Sequence, residues 1–146
     1  MIREARPSDQ AYVASTWVAS ILSVGDRRKS NANALRRLVD GVLDRDDVRV
    51  IVACSNTDEN HILGWLCYTR IVSSSLTVAP RYVAHYAYVR DGERKKGRLA
   101  EMMFAVGIDR GTMMHTFDGP STKALARTVL AKSVKIHPHT FLGADQ

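Results

Sequence analysis

Hydrophobic periodicity predicts an α/β chain of the α+β kind, folded as one domain over residues 1–146. Two observations carry this. Strand-type and helix-type segments follow one another in the order β-α-α-β-β-β-α-β-α-β, with no internal repeat and no linker between them. The length of 146 residues, 45% of them hydrophobic, is also enough for one sizeable core.

The elements follow in order. Residues 2–5 read as a short opening strand stopped by Pro7, with Ser8 as N-cap of the next helix and Asp9 in its first turn. Val13, Trp17, Val18, Ile21 and Leu22 recur at helical spacing and predict a helix over 11–22. A polar stretch, 25–33, precedes a second helix over 34–43, whose stripe is Leu35, Leu38, Val39, Val42 and Leu43. Residues 48–54 are β-branched and read as a central strand; the turn over 55–60 leads into a strand over 62–71, so that the two pair antiparallel. After a serine-rich loop, 82–89 is a strand and 97–108 a helix closed by Gly111. A strand over 112–117, a helix from Ser121 or Thr122 to Lys132, and short extended pieces at 134–136 and 140–142 complete the chain.

The most informative segment is 82–105, YVAHYAYVRDGERKKGRLAEMMFA. A strand ends at Val89, and a cationic loop (Arg94, Lys95, Lys96, Gly97, Arg98) opens directly into a helix. The first turn of a helix leaves N–H groups unpaired and its dipole favours an anion, so this arrangement suits a phosphate-bearing ligand. Gly97 lets the backbone approach closely, and the arginines and lysines add charge.

Val89, the spacing from Arg94 to Gly97, and Met102-Met103 resemble the acyl-CoA signature of the GCN5-related N-acetyltransferases (GNAT). In that signature a strand ending in Val is followed by Arg/Gln-x-x-Gly-x-Gly/Ala and a Leu pair within the helix. Leu99 stands where the family has Gly or Ala, and Ala100 supplies a small residue one position later. The order of elements is also similar, so the resemblance covers nearly the whole chain. It implies a mixed, mostly antiparallel central sheet flanked by helices and splayed between its fourth and fifth strands, with acetyl-CoA as co-substrate in the gap. Val89, Arg94, Lys95, Lys96, Gly97, Arg98, Leu99 and Ala100 would bind it, and backbone groups near Tyr88 and Val89 would pair with the pantetheine amides. The implied reaction is transfer of an acetyl group to a primary amine of a small molecule or protein. The tyrosine that the family often carries in its last helix as general acid is replaced by Leu130, and no tyrosine follows Tyr88.

For such a transfer the residues offer His85, on the cofactor strand, as base, and Tyr88, bordering the splay, as groove lining. Strict alternation would turn Tyr86 and Tyr88 to the face opposite His85. His115 is a further acid–base candidate. Trp17 and Trp65 read as core or pocket aromatics. The His137-Pro138-His139 pair has no accompanying Cys or carboxylate ligand pattern, and no metal is expected.

The net charge of +6 suits an anionic ligand, a nucleic acid or an acidic partner. The aromatic content of 7% and the lack of a nucleic-acid motif weigh against a nucleic-acid-binding domain, which stands as an alternative beside a GNAT-like module that binds CoA or a protein without catalysis. No apolar run approaches the ~20 residues that span a bilayer, so no membrane partner is expected. The opening residues lack the apolar stretch of a secretory signal, and Cys54 and Cys67 sit in apolar strands as reduced, buried residues. Together these predict a cytoplasmic protein, for which a homodimer is an open arrangement.

Overall fold

A computed structural model describes residues 1–24, 32–71 and 81–108, together with the strand backbones at 113–115 and 134–135. Its elements are β1 (Ile2–Glu4), α1 (Gln10–Val24), α2 (Ala32–Leu43), β2 (Val48–Cys54), β3 (Ile62–Ile71), β4 (Arg81–Val89), α3 (Arg98–Val106), β5 (Met113–His115) and β6 (Val134–Lys135). The strands form one mixed sheet in the order β1-β2-β3-β4-β5-β6. Pairing is antiparallel from β1 to β4 and parallel from β4 to β6. The parallel ladder joins Tyr82–Ala84 of β4 to β5 and, among the described residues, goes no further toward Val89. The last predicted helix and the segment 140–142 lie outside the described residues.

Local chemistry moves two boundaries and narrows one buried stripe. Asp9, not Ser8, organises the start of α1: its carboxylate accepts the Arg6 backbone N–H at 2.7 Å and a 2.7 Å bond from Arg3 across a one-turn 3₁₀ segment. The Arg3 guanidinium holds the Asp9 carboxyl below its ordinary range. Gly107, not Gly111, closes α3, because its left-handed backbone turns the Gly107 and Ile108 N–H groups back onto Phe104 and Met103. In α2, Val39 and Val42 are buried but Leu38 is 41% exposed, so the buried stripe is narrower than its apolar pattern.

Two cores sandwich the sheet. On one face α3 sends Leu99, Met102 and Met103 onto Ile51, Leu66, Ala84, Ala87 and Val89. On the other, α1 and α2 cover Val52, Trp65, Cys67 and Tyr86 with Val13, Trp17, Val39 and Val42. Cys54 and Cys67 are both buried and unbridged, and burial pushes the Cys67 thiol far up. The aromatic centre is tight: Trp17 stacks on Tyr86 at 5.4 Å between centroids, and Trp65 lies 5.9 Å from Tyr86.

β4 carries one extra residue. Cys67 pairs with Tyr86, but the next β3 residue, Tyr68, pairs with Ala84, which leaves His85 as a bulge. Side-chain parity therefore changes across it. Tyr82 and Ala84 face α3, and so do Ala87 and Val89. Tyr86 and Tyr88 face α1 and α2. His85 does not oppose Tyr86, as alternation predicted. Its Nε2 lies 2.7 Å from Thr69 Oγ1, and Thr69 is the register partner of Val48 on the α1–α2 face. Only 4% of His85 is exposed. Burial, with help from the Arg45 charge and against that of Asp47, lowers its pKa from 6.5 to about 4.

Two outcomes follow. The unfolded chain protonates His85 near its ordinary pKa of 6.5 but the folded one only near 4. Its contribution to stability is therefore complete above pH 6.5 and is lost as pH falls through 4, a total on the order of 3 kcal/mol. Urea titrations should show a shallower loss over that window in His85→Gln than in the parent. Gly64, the register partner of Val89, has no room for a side chain, since a Cβ would stand 2.7 Å from the Tyr88 carbonyl oxygen. Gly64→Ala should cost about 1–3 kcal/mol by forcing β4 away. Gly41→Ala, in open space on α2, should instead add about 0.5–1 kcal/mol in the same denaturation experiment.

Candidate functional site

The end of β4 feeds a loop whose shape suits an anion. A short 3₁₀ turn, Asp91–Glu93, leaves the strand; Lys95 (φ 65°) and Gly97 (φ 76°) are both left-handed. A left-handed Gly97 followed by the right-handed start of α3 aims successive N–H groups into one concavity. The first helical bond runs from Glu101 N–H to the Gly97 carbonyl, so the N–H groups of Arg98, Leu99 and Ala100 have no acceptor one turn back. Among the described residues a Cβ at Gly97 would meet nothing within 4 Å, so the loop has open space on that side. Leu99 does not crowd it: its side chain is buried beneath α3 with Met102 and Met103. Only its amide remains at the loop.

The loop's cations are less free than its sequence suggests. Arg94 Nη1 pairs with Asp91 at 2.8 Å and Arg94 Nε donates to the Val89 carbonyl at 3.2 Å. Lys96 lies 3.5 Å from Glu93, and Arg98 reaches Glu93 at 3.3 Å and Glu101 at 3.5 Å. Among the described residues, Lys95 is the loop cation without an ion pair, and it is the one held in a strained backbone conformation. The Val89 carbonyl, expected to face an incoming amide, is covered by Arg94.

Beside the loop opens a cleft of about 340 Å³, lined by Thr16, Ala19, Ser20, Ser23, Tyr88, Asp91 and Arg94. α1 forms one wall because its polar residues at helical spacing are stapled to the sheet. Trp65 Nε1 donates to Thr16 Oγ1 at 2.8 Å, and Ser20 Oγ lies 2.7 Å from the Tyr86 hydroxyl. Tyr88 is half-buried at the cleft, 6.1 Å from Trp65 between ring centroids. Behind it, the Arg90 guanidinium lies over the Tyr12 ring at 5.4 Å, while the Arg90 Nε and N–H bond the Ile62 and Leu63 carbonyls at 2.6 and 2.9 Å. Burial raises the Tyr12 pKa, the Arg90 charge opposes this, and the Tyr88 hydroxyl reinforces it.

The structure thus brings together Tyr88, Val89, Arg94, Gly97 and the amides of Arg98, Leu99 and Ala100. It places His85 apart from them, in the α1–α2 core. Trp17 and Trp65 are core residues behind the cleft rather than its lining. The side chain of His115, together with Leu130, His137 and His139, lies outside the described residues. Among the described residues no group of His, Cys, Asp or Glu could hold a metal, and no helix is long and apolar enough to cross a membrane. Thr16, Ser20, Arg90 and Asp91 were not anticipated. The hydroxyls at 16, 20 and 23, spaced along one helix face, were the available signal for the first two.

By sequence, no family profile and no curated protein matches the chain. By structure, it is similar to a possible acetyltransferase from Clostridium difficile 630, at 17% identity and a TM-score of 0.64, over 93% of this chain and 91% of that one. It is also similar to a GNAT family acetyltransferase of Staphylococcus aureus, at 16% identity and a TM-score of 0.51, over 83% and 88%. An aminoglycoside N-acetyltransferase solved in complex with CoA superposes at a TM-score of 0.55 with 13% identity, over 94% and 88%. The sheet order, the parallel β4–β5 pairing and these superpositions together establish that the chain has the fold of the GCN5-related N-acetyltransferase superfamily.

Proposed function

We propose that this protein is an acetyltransferase that moves an acetyl group from acetyl-CoA to a primary amine. The observation that carries the reading is the N–H concavity at Gly97–Ala100, set at the end of β4 and sharing Arg94 with an adjoining cleft. The donor supplies a thioester carbonyl. Toward it, the amides at 98–100 and Lys95 would hold phosphate, and the end of β4 would pair with amide groups as an added strand does. The cleft, lined by hydroxyls and the Asp91 carboxylate, suits an acceptor that arrives as an ammonium.

The ammonium first loses one proton to become nucleophilic; attack by the amine nitrogen then forms the amide C–N bond and breaks the C–S bond, as a second proton leaves the nitrogen and the departing sulfur accepts one. His85 is poorly suited to take the first. From an alkylammonium near pKa 10.4 to an imidazole at about 4, transfer is uphill by roughly 8–9 kcal/mol. His85 is also sealed in the core, so we assign it to holding the β4 bulge. We assign protonation of the departing sulfur to Tyr88, a reading supported by its position in the cleft lining, with Tyr12 and Arg90 behind it. A second reading, ligand binding without turnover, is favoured by the burial of His85. A polymer-phosphate site at Arg94–Arg98 fits less well, because most of those cations are already paired.

Thermal unfolding with CoA or acetyl-CoA tests the ligand. Stabilisation should reach several kcal/mol at concentrations ~1,000 times the dissociation constant and fall sharply in Gly97→Asp, whose carboxylate would enter the concavity. An unchanged melting temperature of the parent at millimolar CoA would reject the reading. Thiol release from acetyl-CoA across an amine panel, with mass spectrometry of candidate protein targets, tests transfer. Tyr88→Phe should slow that release by about tenfold to a hundredfold, near the low end for general acid–base catalysis. Binding without release, for any amine or protein that demonstrably binds, would select the non-catalytic reading.

A further inference from the structure

We propose that Asp91 sets the affinity of this site by competing with the ligand's phosphates for the Arg94 guanidinium. The inference depends on the acetyl-CoA reading only for the identity of the ligand. Asp91 and Arg94 both line the cleft, and their ion pair closes at 2.8 Å across the turn that leaves β4. From that position Arg94 Nε also covers the Val89 carbonyl at 3.2 Å. The pair therefore masks two groups at once: Asp91 occupies the Arg94 guanidinium, and Arg94 covers the last carbonyl of the cofactor strand.

The pair is built to exchange. The Asp91 side chain is 88% exposed and that of Arg94 39% exposed, so water screens their attraction. A phosphate with its larger charge and several acceptor oxygens outcompetes a single screened carboxylate for a planar guanidinium. When it does, Arg94 leaves Val89, whose carbonyl becomes free to accept an N–H from the same ligand. Glu93 holds Lys96 and Arg98 at 3.5 and 3.3 Å, but neither of those cations lines the cleft or covers a strand carbonyl, so the competition centres on Asp91.

A double-mutant cycle on the full chain, with CoA affinity measured by calorimetry at low ionic strength, tests this. Asp91→Asn should tighten binding about two- to fivefold, the range of an exposed ion pair. Arg94→Ala should weaken it tenfold or more, and adding Asp91→Asn to Arg94→Ala should change nothing. Unchanged or weaker binding in Asp91→Asn overturns the proposal. So does a tightening that persists without Arg94, which would mean that Asp91 only repels the anion. Inorganic pyrophosphate run through the same cycle separates the two readings: a chain that ignores CoA but shows the cycle with pyrophosphate loses the acyl-CoA reading and keeps the competition. Failure to bind either probe removes both.

Discussion

β4 serves two cores and the wall of a cleft at once, and one extra residue in it makes this arrangement workable. A regular strand would keep Tyr82, Ala84, Tyr86 and Tyr88 on one face. The bulge at His85 instead gives the first two to α3 and the last two to α1. Ala87 and Val89 then replace them beneath α3, small enough for Leu99, Met102 and Met103 to lie close. Much else follows from that change of parity, including the aromatic cluster and the wall of the cleft.

The bulge fixes chemistry as well as packing. It turns the imidazole toward Thr69 and into a dry core, where the neutral form is the stable one. The same shift brings Tyr86 under Ser20 and Tyr88 to the open end of the strand. Proton-carrying groups are thereby sorted: the imidazole is withdrawn into the core, and a phenol stands at the cleft. Arg90 anchors the exit from β4 with two bonds to β3, and Gly64 leaves the space that the chain needs there.

Electrostatically, the loop after β4 is more balanced than its basic run implies. Four cations face three carboxylates between Asp91 and Glu101, and most are paired. What singles the loop out is backbone geometry. Two left-handed residues and the head of α3 present N–H groups whose direction is set by the fold and costs nothing to reorganise. Charge adds to that frame rather than creating it.

By itself the sequence determined the bounds of β2 and β3, the strand–loop–helix at 82–105, the reduced cysteines and the kind of fold. Each depends on local periodicity or turn chemistry, and a residue's neighbours in the chain suffice to express it. The i,i+3 pairing of Asp91 with Arg94 was legible in principle for the same reason, since acids at 91 and 93 stand just before the bases at 94–98. Tertiary structure alone decided which way His85 points, because a bulge belongs to two strands and Tyr68 on β3 helps to set it. It also decided that Leu99 is a core residue and not an obstruction, since only packing against the sheet turns that side chain away from the loop. The wall of the cleft came from α1, more than sixty residues before the loop it faces, and no local pattern encodes a contact made across that distance.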